Sequence, residues 1–292
     1  MLLAVSAACV GAQSATPHEH TPAAAAAAAA ARVADSGSDE TTRFLARARA
    51  ATDRYRDRRV AISDGYRRMG PDFPFGGEHW VSPSLVVRGR LDAEHPQALL
   101  YVDSSGTTIL VGVAYAIPLE PGVPPPDFPA APAAWHDHWN TILEESVQPH
   151  AGTMHDRAPP GPRLTMLHAW IHGENPDGMF AIENRALPFR RLGLRAPGHF
   201  TLEAARGLSL ATGGDVLYAQ MIDQAAGAAA GSTSRAEAML AGPREGARDV
   251  VAGIRPGETP GDAALDRLAG IWRELARRVG SELGPHAAAA LP

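Results

Sequence analysis

The chain has 292 residues, 45% of them hydrophobic, with 27 basic against 32 acidic residues and a formal net charge of -5. That length and apolar content suffice for one large core or two smaller ones, while the acidic balance excludes the basic face that a nucleic-acid partner requires. All 27 basic residues are arginine, which removes Schiff-base chemistry and a phosphate-loop lysine, and no segment reaches the roughly 18 uninterrupted apolar residues of a membrane span.

Residues 1 to 15 form an apolar stretch ending in small residues, the pattern of a signal-peptide core and cleavage zone without its positively charged start. Export is therefore expected, to the periplasm or beyond. Cys9 is a candidate lipid-anchor position, although it lacks the large apolar residue usual three places earlier. It is the one cysteine, so a mature chain would hold no thiolate ligand, and a metal site must use His, carboxylate or carbonyl groups. His18, Glu19 and His20, the alanine run from Ala23 to Ala31 and the polar patch ending at Glu40 read as a solvated linker. Residues 1–40 are thus set apart from the fold.

Thr41 or Thr42 can cap a helix beginning at Arg43, with Phe44, Ala48, Ala51 and Tyr55 at helical spacing and arginines opposite. It is expected to continue, with a break, to Tyr66, and Gly70-Pro71 ends it. Pro71 to Pro83 is rich in Pro and Gly, and a loop carrying Glu78, His79 and Trp80 is expected there. A hairpin follows, with strands from Ala98 to Val102 and Thr107 to Leu119 and a turn from Asp103 to Gly106. In its second strand Ile109, Val111, Val113, Tyr115 and Ile117 should share one face, and Leu110, Gly112, Ala114 and Ala116 the other. Both faces are apolar, which predicts a central strand covered on each side.

The proline-dense connector from Pro118 to Pro132 delivers the chain to Trp135-His136-Asp137-His138-Trp139. After a loop from Gln148 to Pro162, the segment Arg163 to His172 reads as a strand with Leu164, Met166, His168, Trp170 and His172 on one face. Asn175-Pro176-Asp177-Gly178 has the residue order of a type I turn. Beyond Phe200 the composition becomes Ala-rich, and helices are expected over 202–210, 216–226, 235–255 and 263–283. In the last, Leu265, Leu268, Trp272, Leu275 and Val279 recur three and four apart, which suits packing on its own chain or a dimer seam. The whole predicts an α+β protein: a mainly antiparallel sheet with flanking helices over 41–200, then a helical C-terminal region over 201–292.

The chemistry-bearing residues are the histidines that alternate with tryptophans. In an extended segment His136 and His138 point to the same side with Cα atoms roughly 6.5 Å apart, so both rings can reach one ion. In a helix they would diverge by about 200°. On a strand His168 and His172 lie about 13 Å apart, so His168 is the expected distant partner. The expected site is a transition-metal centre (Zn, Cu or Fe) held by His136, His138 and His168, with His79 as a fourth ligand or supporting group. Glu78, Asp137, Glu144 or Glu145 would orient a ring or act as base. A zinc-protease signature is missing, because Ala169 follows His168 where a glutamate is needed, and there is no Gly-x-Ser-x-Gly elbow or glycine-rich phosphate loop. Two alternatives stay open: a metal-dependent hydrolase or oxidoreductase acting on a small molecule beside Trp80, Trp135 and Trp170, and a metal-free envelope structural or interaction protein using the C-terminal helices, in which the His and Trp residues form a buried polar network.

The central part, residues 55 to 195, resembles an uncharacterised group of bacterial exported proteins. The resemblance rests on Ala61 to Tyr66, Gly77-Glu78-His79-Trp80, Val111 to Tyr115, Trp135-His136-Asp137-His138 and His168-Ala169-Trp170, leading to Asn175-Pro176-Asp177-Gly178-Met179-Phe180. It implies an envelope location and treats the His-Trp motifs as one set. It brings no established activity.

Overall fold

Six strands make one sheet in the order β1-β2-β3-β4-β6-β5, every neighbouring pair antiparallel. This computed structural model describes residues 39–120, 122–138, 163–213, 216–226 and 234–291. The leader with Cys9, the His18–His20 linker, Trp139 and the segment holding Glu144, Glu145, His150 and His155 lie outside them. The α+β class expected from the sequence is the one observed.

Helix α1 (Asp39–Thr52) starts earlier than a cap at Thr41 or Thr42 would require, and places Asp39 and Glu40 at its positive end. Thr41 is buried and donates its hydroxyl to Pro129 O (3.1 Å), so it anchors the proline connector rather than capping. A 3-10 turn (Asp53–Arg56) leads to the short α2 (Arg58–Ser63), whose first turn Asp57 caps by accepting from Arg59 N. The helical run stops at Gly65, whose φ of 94° suits glycine.

The stretch expected to be a loop from Pro71 is instead a hairpin, β1 (Arg67–Phe73) with β2 (Gly77–Val81). Pro71 is tolerated because β1 is an edge strand and the pairing skips between Met69 and Asp72. Glycine is required at 77: φ is 72°, and a Cβ there would lie 2.5 Å from Tyr101 O. The short α3 (Pro83–Arg88) follows, closed by Gly89 in the left-handed region.

Strands β3 (Ala98–Ser104) and β4 (Thr107–Leu119) form the expected hairpin, turning at Ser105 and Gly106, both with positive φ as a tight two-residue hairpin turn needs. The expected face assignment holds only beyond residue 112. Leu100 pairs with Gly112 and Tyr101 with Leu110, which leaves Val111 as the extra residue of a bulge and reverses the alternation. Leu110 therefore joins Val113, Tyr115 and Ile117 on one face, while Val111 joins Ala114 and Ala116 on the other. β4 lies between β3 and β6 and is buried from Leu110 to Ile117.

β5 (His136–His138) pairs with β6 (Arg163–Ala169). β6 ends three residues before His172, because Trp170 N turns away to donate to Met179 O (2.9 Å). One sheet face is covered by α1 and its 3-10 extension, with Phe44 and Tyr55 packed among Leu99, Tyr101, Tyr115 and Leu167. The other carries Leu100, Ala114, Met166 and Trp170 and meets α4 (Leu187–Arg191) through Leu187.

The helical region matches the expected segments closely: α5 (Leu202–Ser209), α6 (Val216–Ala225), α7 (Ser234–Ala252) and α8 (Asp262–Leu283), with an added α9 (Pro285–Ala290). Thr201 caps α5 by accepting from Ala204 N (3.1 Å). These helices share a core of their own, which Phe73 and Phe189 join from the sheet side. Leu265, Leu268, Trp272, Leu275 and Val279 of α8 are all buried within this chain, so that stripe is not free to act as a dimer seam. Among the described residues no helix is long and apolar enough to cross a membrane.

Candidate functional site

His79, His136 and His168 share one face of the sheet, the one with Leu100, Ala114 and Met166. His79 sits opposite Leu100, His168 opposite Ala114, and His136 opposite Met166, two residues along β6 from His168. β5 is extended, which was the condition for His136 and His138 to share a face. His138 pairs with Leu164, farther from His168, and its side chain lies outside the described residues.

His79 and His168 are separated by β3 and β4, three strand spacings, or about 14 Å across a flat sheet. Their Nε2 atoms are nevertheless 3.2 Å apart, which two imidazole side chains can achieve only if the sheet curls over them. The residues between permit that curl. Gly112 has no Cβ, and one placed there would meet Ala169 O at 2.8 Å and Trp170 Cα at 3.3 Å; beside it the Val111 bulge bends β4.

His168 is fully buried, and His79 and His136 nearly so. His168 Nδ1 lies 2.5 Å from Ile182 O. A carbonyl only accepts, so Nδ1 carries the proton and Nε2 presents its lone pair towards His79. The His136 ring stands edge-on to His168 with centroids 4.9 Å apart, and Trp170 closes the other side at 5.6 Å. Phe73 stands edge-on to His79 at 5.5 Å. Among the described residues no group of three or more His, Cys, Asp or Glu side chains stands ready to hold a metal ion.

Of the carboxylates expected to serve the histidines, Glu78 and Asp137 do not face them, and Glu144 and Glu145 lie outside the described residues. Glu78 is on the opposite face, where it accepts from Trp80 Nε1 (3.0 Å) and pairs with Arg58 (3.3 Å) and Arg68 (2.9 Å). Asp137 also points away, to Arg163 Nε at 2.9 Å. The period of two explains both, since each adjoins a histidine in a strand. Of the three tryptophans expected as walls, only Trp170 borders the rings; Trp135 and Trp80 pack on the opposite face.

The group that does orient a histidine is a backbone carbonyl, which the sequence reading missed. Loop 174–186 presents Ile182 O to His168 and Ala181 O to Trp170 Nε1 (2.7 Å). Asn175 and Asn184 hold that loop: Gly178 N bonds Asn175 O (3.1 Å) in the expected turn, Asn175 Nδ2 donates to Glu183 O (2.8 Å), and Asn184 Nδ2 donates to Glu174 O (3.0 Å). Any residue type offers a carbonyl, so no signal at Ile182 could have revealed it.

Comparison with protein-family models, with curated proteins and with solved structures returned no match for this chain. The site is therefore read from its own chemistry.

His172, set aside on spacing, has a separate role. Thr52 donates its hydroxyl to Ala48 O (2.6 Å), so its oxygen accepts from His172 Nε2 (2.8 Å), and this bond fastens α1 to the turn that follows β6. Nδ1 is buried without a hydrogen-bond partner. Burial, with Arg56 and Arg49 adding to it, depresses the His172 pKa from 6.5 to about 4. The unfolded chain therefore binds the proton more readily, and the associated stability is present above pH 6.5 and lost as pH falls towards 4. The full shift corresponds to about 3 kcal/mol, reduced to about 2 by partial exposure to water. Urea denaturation of the parent and of His172→Gln at pH 7 and pH 4.5 should show the parent losing about 2 kcal/mol more than the variant; equal losses would remove His172 as the cause.

Proposed function

We propose that this is an exported protein that binds a transition-metal ion at the sheet face carrying His79, His136 and His168. The observation that carries the reading is the pair of Nε2 atoms 3.2 Å apart, one with its opposite ring nitrogen bonded to a carbonyl. Two ligands at about 2.0 to 2.1 Å from one tetrahedral ion lie about 3.3 Å apart. A ligating imidazole usually donates its other N–H to a carbonyl or carboxylate, as His168 does to Ile182. His136 would supply a third nitrogen by turning about its side-chain torsions, and His138 is next along the same face of β5. Export rests on the apolar stretch from Met1 to Ala15.

A second reading is favoured by the lack of a ready three-ligand group among the described residues. His79 Nε2–H donating to the His168 Nε2 lone pair joins the two facing nitrogens without an ion, and the cluster then serves as a buried polar clasp between β2 and β6. The experiment that separates them is reconstitution of the full chain with Zn, Cu or Fe(II), followed by gel filtration and elemental analysis. About one ion per chain is expected for the metal reading. No retained ion from any of the three would leave the clasp.

A further inference from the structure

The backbones under the two facing imidazoles are fixed separately, His79 by pairing with Met69 and Leu100 and His168 by pairing with Ala114. Their rings lean on groups outside those ladders. The turn at Phe75 and Gly76 lies against His79, since a Cβ at Gly76 would be 3.4 Å from His79 Cε1 and 3.1 Å from Phe73 Cβ. His168 is aimed by Ile182 O in loop 174–186.

Asn184 reaches both supports. Its backbone N–H donates to Phe75 O (2.8 Å), beside the glycine that meets the His79 ring. Its side chain, two residues after Ile182, donates from Nδ2 to Glu174 O (3.0 Å) and accepts at Oδ1 from Ala186 N (3.0 Å), which closes the loop across its base. Leu187 N bonds the Asn184 carbonyl (3.1 Å), so each of its four polar atoms has a partner although the residue is fully buried. The partners also fix which end of the amide is oxygen, because a backbone N–H only donates and a carbonyl only accepts. An apolar side chain could fill the same volume, but only an amide offers a donor and an acceptor to the two ends of the loop at once.

We infer that Asn184 is the positioning residue common to both imidazoles. It holds Ile182 O where His168 Nδ1–H donates to it, and it holds the Phe75 turn against His79, so that the two Nε2 atoms face each other. Removing the side chain opens the loop base. Ile182 O then leaves His168, and the ring proton redistributes to Nε2, the atom that faces His79 and that an ion would need. The hairpin carrying His79 stays docked, because Arg191 still binds Asp72 (2.6 Å) and Phe73 O (3.0 Å). The effect on ion affinity rests on the metal reading; the effect on the rings does not.

The test uses the full, metal-free chain labelled with 15N-histidine at pH 7.5, with the ring nitrogens assigned by their loss in His168→Gln and His79→Gln. In the parent, His168 should show the Nδ1–H tautomer with a slowly exchanging proton. In Asn184→Ala the Nε2–H form should appear, the Nδ1 proton should exchange about tenfold faster, and the His79 signals should move as well. Asn175→Ala, which unties the loop at Glu183 O alone, should move His168 and leave His79. Gly207→Ala on α5, which strains the helical core, should move neither ring and so separates positioning from loss of stability. Zinc affinity should fall about tenfold in Asn184→Ala. Circular dichroism checks folding, and Asn184→Ser, which keeps a small polar group, takes over the same readouts if Asn184→Ala does not fold. The role is overturned by parent-like His168 and His79 signals in the folded variant, by the same changes in Gly207→Ala, or by unchanged zinc affinity where the parent binds zinc. A parent that takes up no zinc removes the metal reading, and the ring signals still decide the role of Asn184.

Discussion

His168→Ala is expected to abolish metal retention and to lower the stability of the metal-free chain by about 3 kcal/mol. The side chain is fully buried, and its loss removes a hydrogen-bond partner from both Ile182 O and His79 Nε2. The imidazole volume also becomes a cavity beside Trp170. Metal should stabilise the parent by about 4 kcal/mol at a thousandfold excess over Kd and the variant not at all. Guanidinium unfolding with and without ion measures both quantities. A variant that still gains stability from the ion would place the metal elsewhere; a parent that gains none would leave only the clasp, with its stability loss intact.

Gly207→Ala is expected to cost about 3 kcal/mol through overpacking, although it adds only a methyl group and favours helix by propensity. In α5 a Cβ at this position would lie 2.1 Å from Leu268 O and 2.6 Å from its carbon, both backbone atoms of α8. A side chain could rotate away, but a helix backbone must move as a unit, and α8 is held by Leu268, Trp272 and Leu275 in the helical core. Gly242→Ala on α7, where nothing lies within 4 Å, is the control and should be neutral or slightly stabilising. Thermal denaturation of the two variants gives the comparison, and equal melting temperatures would refute the close approach.

Long periodic segments were readable from the sequence because their signal is local. The stripe Leu265, Leu268, Trp272, Leu275 and Val279 specifies a helix buried along one face, and that is how α8 stands. The hairpin at Ser105-Gly106 was equally legible from turn chemistry. The β1–β2 hairpin was not, since Pro71 and Gly77 are breakers by composition. Only an edge position, a skipped pairing and the nearness of Tyr101 O make them admissible there. The Val111 bulge was likewise hidden, because both faces of β4 are apolar and an alternation without contrast cannot show where it slips.

The candidate site divides along the same line. Sequence alone singled out the imidazoles as the candidate site groups, and determined that an extended segment would put His136 and His138 on one face and that Glu78 and Asp137 adjoin His79 and His136 in the chain. Spacing on a strand also favoured His168 over His172. Tertiary structure decided the rest. The curl across Gly112 brings His79, three strand spacings away, to 3.2 Å from His168. Loop 174–186, folded back onto β6, gives the orienting role to the Ile182 carbonyl, while the strand period of two keeps Glu78 and Asp137 on the far face. The physical reason is that residue type and periodicity act over a few positions, whereas the meeting of two rings 89 residues apart depends on the summed curvature of four strands.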